Sequence, residues 1–325
     1  MNTASFTSVL AADIQRFLDM KRSLGYKYDV EEYLLHSFDR YWNESNSSNP
    51  IITMDSLIGW VKQRTAECKS TQSQRISIVR QFTLYMNGVG KVSYVPMDKI
   101  RCPRRPVVHI LSSDEIKALF KEIDEYKPSR PTVETARMAN EYRIIFRLIL
   151  STGLRRTEAI SIKLQDLNMK DQSITVNNAK GRKDRMVCFS SDMSDILKEY
   201  LLYLQNVLEE ESLWLFPSVL KSEHISSGGL AIRFRAFWNK TSYSEKCEKA
   251  PTIHALRHTF VVLRMNEWIE QGIEFKAMMP YLSRHLGHKS PDETFYYYHQ
   301  VLDAFRIIHQ KDTLAPTVLP EVRVR

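Results

Sequence analysis

The sequence predicts a mainly α-helical protein with one small β-hairpin, divided into two domains. Three observations carry this prediction. The 325 residues are roughly twice the ordinary length of one domain, so each half can bury a core of its own. Apolar residues recur at the three-to-four spacing of helices through most of the chain. A single stretch near residues 173–189 instead sets two short apolar or β-branched runs on either side of a polar, basic turn.

Residues 1–90 read as a bundle of four helices. Leu10, Ile14, Phe17 and Leu18 fall on one apolar face, and Tyr33, Leu34, Phe38 and Tyr41 on another. A start signal at Thr53 to Asp55 precedes Leu57, Ile58 and Val61, and the run Ile76, Val79, Phe82 and Leu84 ends near Gly88. Residues 91–111 read as an interdomain linker, because Gly90, Pro96, Pro103 and Pro106 break the helical pattern. Lys99, Arg101, Arg104 and Arg105 make that linker basic. Such a composition suits both a segment laid across phosphates and an ordinary solvated connector.

The second domain is expected over residues 112–300. Ser112, Ser113, Asp114 and Glu115 make a helix start, and Ile144, Ile145, Leu148 and Ile149 mark a buried helix that ends at Gly153. The hairpin strands are Ser173 to Val176 and Met186 to Phe189, around a tip that carries Lys180, Arg182, Lys183 and Arg185. Helical spacing returns from Tyr200. Residues 301–325 form a C-terminal segment in which Val301, Leu302, Phe305 and Ile308 share an apolar face.

Lys and Arg number 46 against 38 Asp and Glu, a formal charge of +8, which suits a polyanionic partner such as nucleic acid. Cys68, Cys102, Cys188 and Cys247 lie far apart, without the paired spacing of a zinc site or the pattern of a secreted disulfide framework. The N-terminal MNTASFTSVL lacks the basic-then-apolar order of an export signal, and no run approaches the ~18 apolar residues of a membrane span. These features lead to the expectation of a soluble cytoplasmic protein with no membrane partner. No phosphate-binding loop or clustered carboxylate set is present, so neither a metal nor another cofactor is expected.

Three segments hold residues suited to phosphate chemistry. Ser151 to Glu158 places Arg155 and Arg156 just after a turn-forming glycine, with Glu158 near enough to orient one of them. A guanidinium suits a phosphate because its planar fork donates paired hydrogen bonds and stays charged. Alone, the segment reads more readily as surface arginines at a helix junction. Thr252 to Phe260 puts His254 and Arg257 three apart, on one helical face that suits either two ligands of one anion or a solvated polar stripe, with Leu256 and Phe260 toward the core. His258 there reads as a satisfied buried imidazole. Tyr281 to His288 is followed by the aromatic run Phe295, Tyr296, Tyr297, Tyr298 and His299; spacing alone does not separate a functional tyrosine there from core packing.

Taken together, in order and spacing, these segments resemble the tyrosine recombinase, or phage integrase, family. That family's pattern is an arginine in T-G-L-R-x-x-E, a lysine in a β-hairpin, H-x-x-R, and L-G-H ahead of a nucleophilic tyrosine. The resemblance assigns Arg155 and Glu158 to the first element, Lys180 to the hairpin, His254 and Arg257 to the third, and His288 to the fourth. The family's nine-residue step from that histidine selects Tyr297. Lys183 lies in the same turn as Lys180, and a register shift exchanges the two.

The resemblance covers roughly residues 112–300 as the catalytic domain and extends by architecture to residues 1–90 as a core-type DNA-binding domain, in the plan of Xer-like recombinases or tyrosine-type transposases. It implies site-specific cleavage and rejoining of DNA through a 3′-phosphotyrosine, without metal or ATP, as in integration, excision, transposition or dimer resolution. Arg155 and Arg257 would offset charge growing at phosphorus, His288 would add a hydrogen bond, and His254 would help move the tyrosine proton. Arg101, Arg104, Arg105, Arg182 and Lys183 would contact DNA, with His258 in support. The implied partner is a duplex with paired recombination sites, bound by a homotetramer; the 301–325 segment reads either as one passed to a neighbouring subunit or as a helix folded on its own subunit, and no particular accessory protein is implied. Two other readings share the residues: a type IB topoisomerase that relaxes one duplex, and a DNA-binding protein of the same fold that lacks activity.

Overall fold

The computed structural model describes residues 5–46, 48–97, 100, 108–177, 184–208, 212–219, 222–288, 290 and 292–297. Packing divides the chain into two compact units, Met1–Pro106 and Val107–Arg325.

The first unit holds α1 (Ala11–Ser23), α2 (Asp29–Asn46), α3 (Met54–Val61) and α4 (Lys69–Gly88). Local chemistry sets several ends. Thr53 caps α3 in a reciprocal box with Ser56, satisfying two amides that have no partner inside the helix. Leu10, which precedes α1, and Ile14, Phe17 and Leu18 within it are all buried, as the periodicity required. On α2 the buried face is Leu35, Phe38 and Trp42 rather than one through Tyr33, which is 74% exposed. Ile58 and Leu84 also turn outward, and Trp60 and Met86 take the inner positions. Phe38 meets Trp42, Trp60 and Phe82 through tilted and edge-on rings, the arrangement aromatic quadrupoles favour. Against Trp60 lies the buried Arg75, paired with Glu67 at 2.9 Å.

The second unit begins with α5 (Ser113–Asp124), α6 (Val133–Thr152) and α7 (Arg156–Ile160). Ser112 and Glu115 form the capping box that starts α5, and Gly153 ends α6 in the left-handed conformation. A three-stranded antiparallel sheet follows, β1 (Leu167–Asn168), β2 (Ser173–Val176) and β3 (Arg185–Cys188), in the order β1-β2-β3. Ser173 pairs with Cys188 and Val176 with Arg185, so the hairpin strands stand as expected, with β3 beginning one residue earlier. The chain continues through α8 (Ser191–Val207), α9 (Ser227–Trp238), α10 (Ile253–Glu270), α11 (Phe275–Leu286) and the short α12 (Asp292–Phe295). The apolar face of α6, with Ile145, Phe146, Leu148 and Ile149, lies in the main core. A smaller cluster around Phe260, Val261, Met265, Leu282 and Leu286 of α10 and α11 also encloses Tyr297.

Candidate active site

The site assembles where α6, α10 and α11 meet the start of β3. Gly153 adopts φ +67°, and a Cβ there would collide with Cδ1 of Phe260; glycine is required by both backbone and space. Its carbonyl accepts Nη1 of Arg257 at 2.6 Å. Two residues later Arg155 precedes α7, with its amide and Nη1 both donating to the Glu158 carboxylate at 2.8 Å.

The C-terminus of α11 supplies three successive carbonyls, each taken by a different arginine. His285 O accepts Nε of Arg185 at 2.7 Å, Leu286 O accepts Nη2 of Arg257 at 2.8 Å, and Gly287 O accepts Nη2 of Arg155 at 3.0 Å. Carbonyls at this end have no partner within the helix and form the negative end of its dipole, so cations are favoured there. Gly287 turns the chain at φ +65°, and the His288 amide returns to Ser283 O at 3.0 Å, closing a Schellman-type end that aims His288 back at Arg257.

Donor and acceptor inventories fix the tautomer of His288. A guanidinium only donates, so at 3.1 Å from Arg257 Nη2 the His288 Nε2 accepts. Nδ1 then carries the proton and donates to Thr294 Oγ1 at 2.6 Å. On α10, His254 and His258 are one turn apart with ring centroids 4.3 Å from each other. Among the described residues, the imidazole that meets the Tyr297 hydroxyl is His258, with Nδ1 2.5 Å from the oxygen. The His288 ring lies parallel to that of Tyr297 at 6.5 Å between centroids.

Burial raises the Glu158 carboxyl, but the forks of Arg185 and Arg155 outweigh it and hold the group at about 2. Burial and the neighbouring Arg155 push Arg257 down to about 10. Burial with nearby cations pushes His258 and His288 to about 3, so both are neutral imidazoles at neutral pH. His254 is pushed to about 4 by burial of its ring and by Arg257; the residue nonetheless keeps an exposed face, and water there screens that effect. Tyr297 is raised to about 12 by burial, although Arg257 pulls in the opposite direction. The ensemble is an electropositive hollow around a protonated phenol.

Beside it opens a cleft of about 690 Å³ whose walls include Arg155, Arg156, Arg235, Pro251, Thr252 and His254. Among the described residues no cluster of three or more His, Cys, Asp or Glu is placed to hold a metal.

The structure thus brings together Arg155, Glu158, His254, Arg257, His258, His288 and Tyr297. Lys180, Arg182 and Lys183 of the hairpin tip, Arg101, Arg104 and Arg105 of the linker, and the segment 301–325 lie outside the described residues. Sequence reasoning passed over Arg185 and Thr294. A charged residue opening a strand was the only local signal for Arg185, and Thr294 carried none.

The phage integrase family profile matches residues 109–303, which spans this whole cluster. The chain belongs to the phage integrase family. It is a tyrosine recombinase, a DNA strand transferase. It is 26% identical over 298 residues to the tyrosine recombinase XerD of Lacticaseibacillus casei, covering 89% of this chain and 93% of that protein. In fold it is similar to the Tn1549 transposon integrase in complex with a circular intermediate DNA, at a TM-score of 0.64 and 15% identity over 92% of this chain and 99% of that one. The XerH site-specific recombinase bound to a palindromic difH substrate superposes at a TM-score of 0.61 and 17% identity, over 93% of this chain and 83% of that one. In this tyrosine recombinase Arg257 on α10, His288 on the α11–α12 connection and Tyr297 just after α12 stand in one continuous cluster.

Proposed function

We propose that this chain cleaves and rejoins DNA at specific sites, with Tyr297 as the nucleophile and Arg155 and Arg257 as the principal phosphate ligands. The observation that carries the reading is the Tyr297 hydroxyl, in hydrogen-bond contact with His258 in a pocket where Arg257 and Arg155 both favour its ionised form.

A phosphodiester resists attack because it is anionic, and fixed guanidinium groups offset the charge that grows on its oxygens. In the cleavage step the Tyr297 oxygen forms a bond to phosphorus while its proton passes to Nδ1 of His258. The bond from phosphorus to the 5′-oxygen breaks, and the leaving oxygen takes a proton from the hairpin lysine, Lys180 by the family pattern. The contact distance favours His258 over His254 as the first proton acceptor. The phosphoester is kept in the covalent 3′-phosphotyrosine, so a 5′-hydroxyl from a partner strand reverses the step without ATP. An arriving phosphate adds negative charge beside His258 and His288 and raises both imidazoles, which favours proton uptake when it is needed.

The same reading takes residues 1–90 as the second half of a DNA clamp, with the linker arginines on phosphates. It takes the working assembly as a homotetramer on paired sites, with residues 301–325 exchanged between subunits, and the site of action as the cytoplasm, on the nucleoid. XerH bound to its difH substrate and the Tn1549 integrase in complex with a circular intermediate DNA support DNA as the partner.

The test is a nicked suicide duplex that traps the covalent intermediate. The parent enzyme is expected to become linked to DNA, and Tyr297→Phe to bind the duplex without linkage. Adducts persisting in Tyr297→Phe would overturn the nucleophile. Relaxation of supercoiled plasmid by the parent, with no recombinants from any site pair, would favour the topoisomerase reading.

A further inference from the structure

Arg185 heads β3 and is almost entirely enclosed, its side chain 6% exposed. It makes a two-armed pair with Glu158, Nη1 to Oε1 at 3.0 Å and Nη2 to Oε2 at 2.8 Å, while Nε binds His285 O at 2.7 Å. Such fork-to-fork pairs are the strongest and most directional that carboxylates form. None of these contacts faces the cleft: Arg185 is absent from its lining, whereas Arg155 is part of it.

Glu158 also accepts the amide and Nη1 of Arg155. One negative charge is therefore shared by two guanidinium groups, and the trio carries a net +1. Without Arg185 the carboxylate would face Arg155 alone, and an incoming phosphate would meet a cation already compensated. The His285 contact adds a mechanical part. It ties β3 to the end of α11, whose next two carbonyls hold Arg257 and Arg155.

We propose that Arg185 is a positioning residue of the cleavage reaction: it engages Glu158 in a two-armed ion pair so that Arg155 keeps its positive charge for the scissile phosphate. This rests on the reading in which Arg155 and Arg257 bind that phosphate. Arg185 itself touches no substrate; its effect is carried by Glu158 and the α11 carbonyls.

The experiment measures covalent capture by the full chain on two nicked duplexes. One has an ordinary scissile phosphate; the other has a scissile methylphosphonate, in which a methyl group replaces a nonbridging oxygen and removes the negative charge. Each variant is compared with the parent on the same duplex. Arg185→Met is expected to slow capture of the phosphate about tenfold or more, and of the methylphosphonate only about twofold, because the neutral group makes less demand on guanidinium charge. Arg185→Lys, which keeps the charge and loses the fork, should fall between parent and Arg185→Met. The double variant Arg185→Met with Glu158→Gln removes the carboxylate charge that would otherwise compensate Arg155. It should recover most of the phosphate rate lost in Arg185→Met, and it keeps the test open if the single variant folds poorly. Equal losses on both duplexes, or no recovery in the double variant, would overturn the proposal by reducing Arg185 to a structural role. Capture by Tyr297→Phe would instead overturn the underlying reading and the proposal with it.

Discussion

Replacing Glu158 by glutamine keeps its shape and removes its charge, leaving two guanidinium groups in a buried site without their counter-ion. Two routes give the magnitude. A carboxyl held at about 2 instead of its ordinary 4.5 prefers the ionised form by about 3 kcal/mol, at roughly 1.4 kcal/mol per pKa unit. The Glu158 side chain is 7% exposed, so solvent screening removes little of this. Independently, stranding one partner of a buried ion pair costs about 3–5 kcal/mol. Glu158→Gln should therefore lose about 3 kcal/mol at pH 7, read from urea unfolding of the DNA-free chain. The sign with pH follows from the depressed value: the contribution is fully present above about 4.5 and is lost as pH falls through about 2. Since glutamine does not titrate, the gap between parent and variant should narrow by roughly 1 kcal/mol at pH 4. A variant within about 0.5 kcal/mol of the parent at pH 7, or a gap that widens in acid, would refute this electrostatic account.

Three further outcomes are expected. His258 and His288, held near 3 by burial and neighbouring cations, stay neutral in the fold while the unfolded chain protonates them below about 6.5, so stability should drop on acidification. Each contributes a loss of up to roughly 1.4 kcal/mol at pH 5.5, and unfolding curves that coincide at pH 7.5 and 5.5 would contradict it. Gly153→Ala forces a side chain onto Phe260 at a left-handed position and should cost about 2 kcal/mol, with slower covalent capture because the same residue's carbonyl holds Arg257; parent-like melting and capture would dismiss that role. Lys180→Ala should slow cleavage of an ordinary duplex yet cleave one with a 5′-bridging sulfur at near the parent rate, since a thiolate leaves without a proton. The same pattern in Lys183→Ala, and not in Lys180→Ala, would assign the role to Lys183.

Helix ends were legible because their causes are local. Thr53 with Ser56, Ser112 with Glu115, and Gly153 after Thr152 satisfy or turn backbone within one helical turn, and those residues stand side by side in the chain. The hairpin edges were legible for the same reason, to within one residue of β3. Faces were less so. On α2 Phe38 is inward as its spacing suggested, packed on Trp60 and Phe82, but the aromatic Tyr33 and the aliphatic Leu35 both suit an apolar stripe, and only tertiary packing put Leu35 and Trp42 inward and Tyr33 outward.

The sequence by itself determined the chemical inventory and its order: Arg155, His254, Arg257, His288 and Tyr297, in the spacing of one enzyme family. It left His258 as a buried imidazole and Arg185 as one more cation of a basic turn. Tertiary structure decided that His258, 39 residues from Tyr297, meets its hydroxyl. It also decided that Arg185 spans 27 residues to Glu158 and 100 to His285. The physical reason is one of range: capping, turns and periodicity are settled within a few residues, whereas the partner of a buried charge is whichever group the packing of distant elements delivers to it.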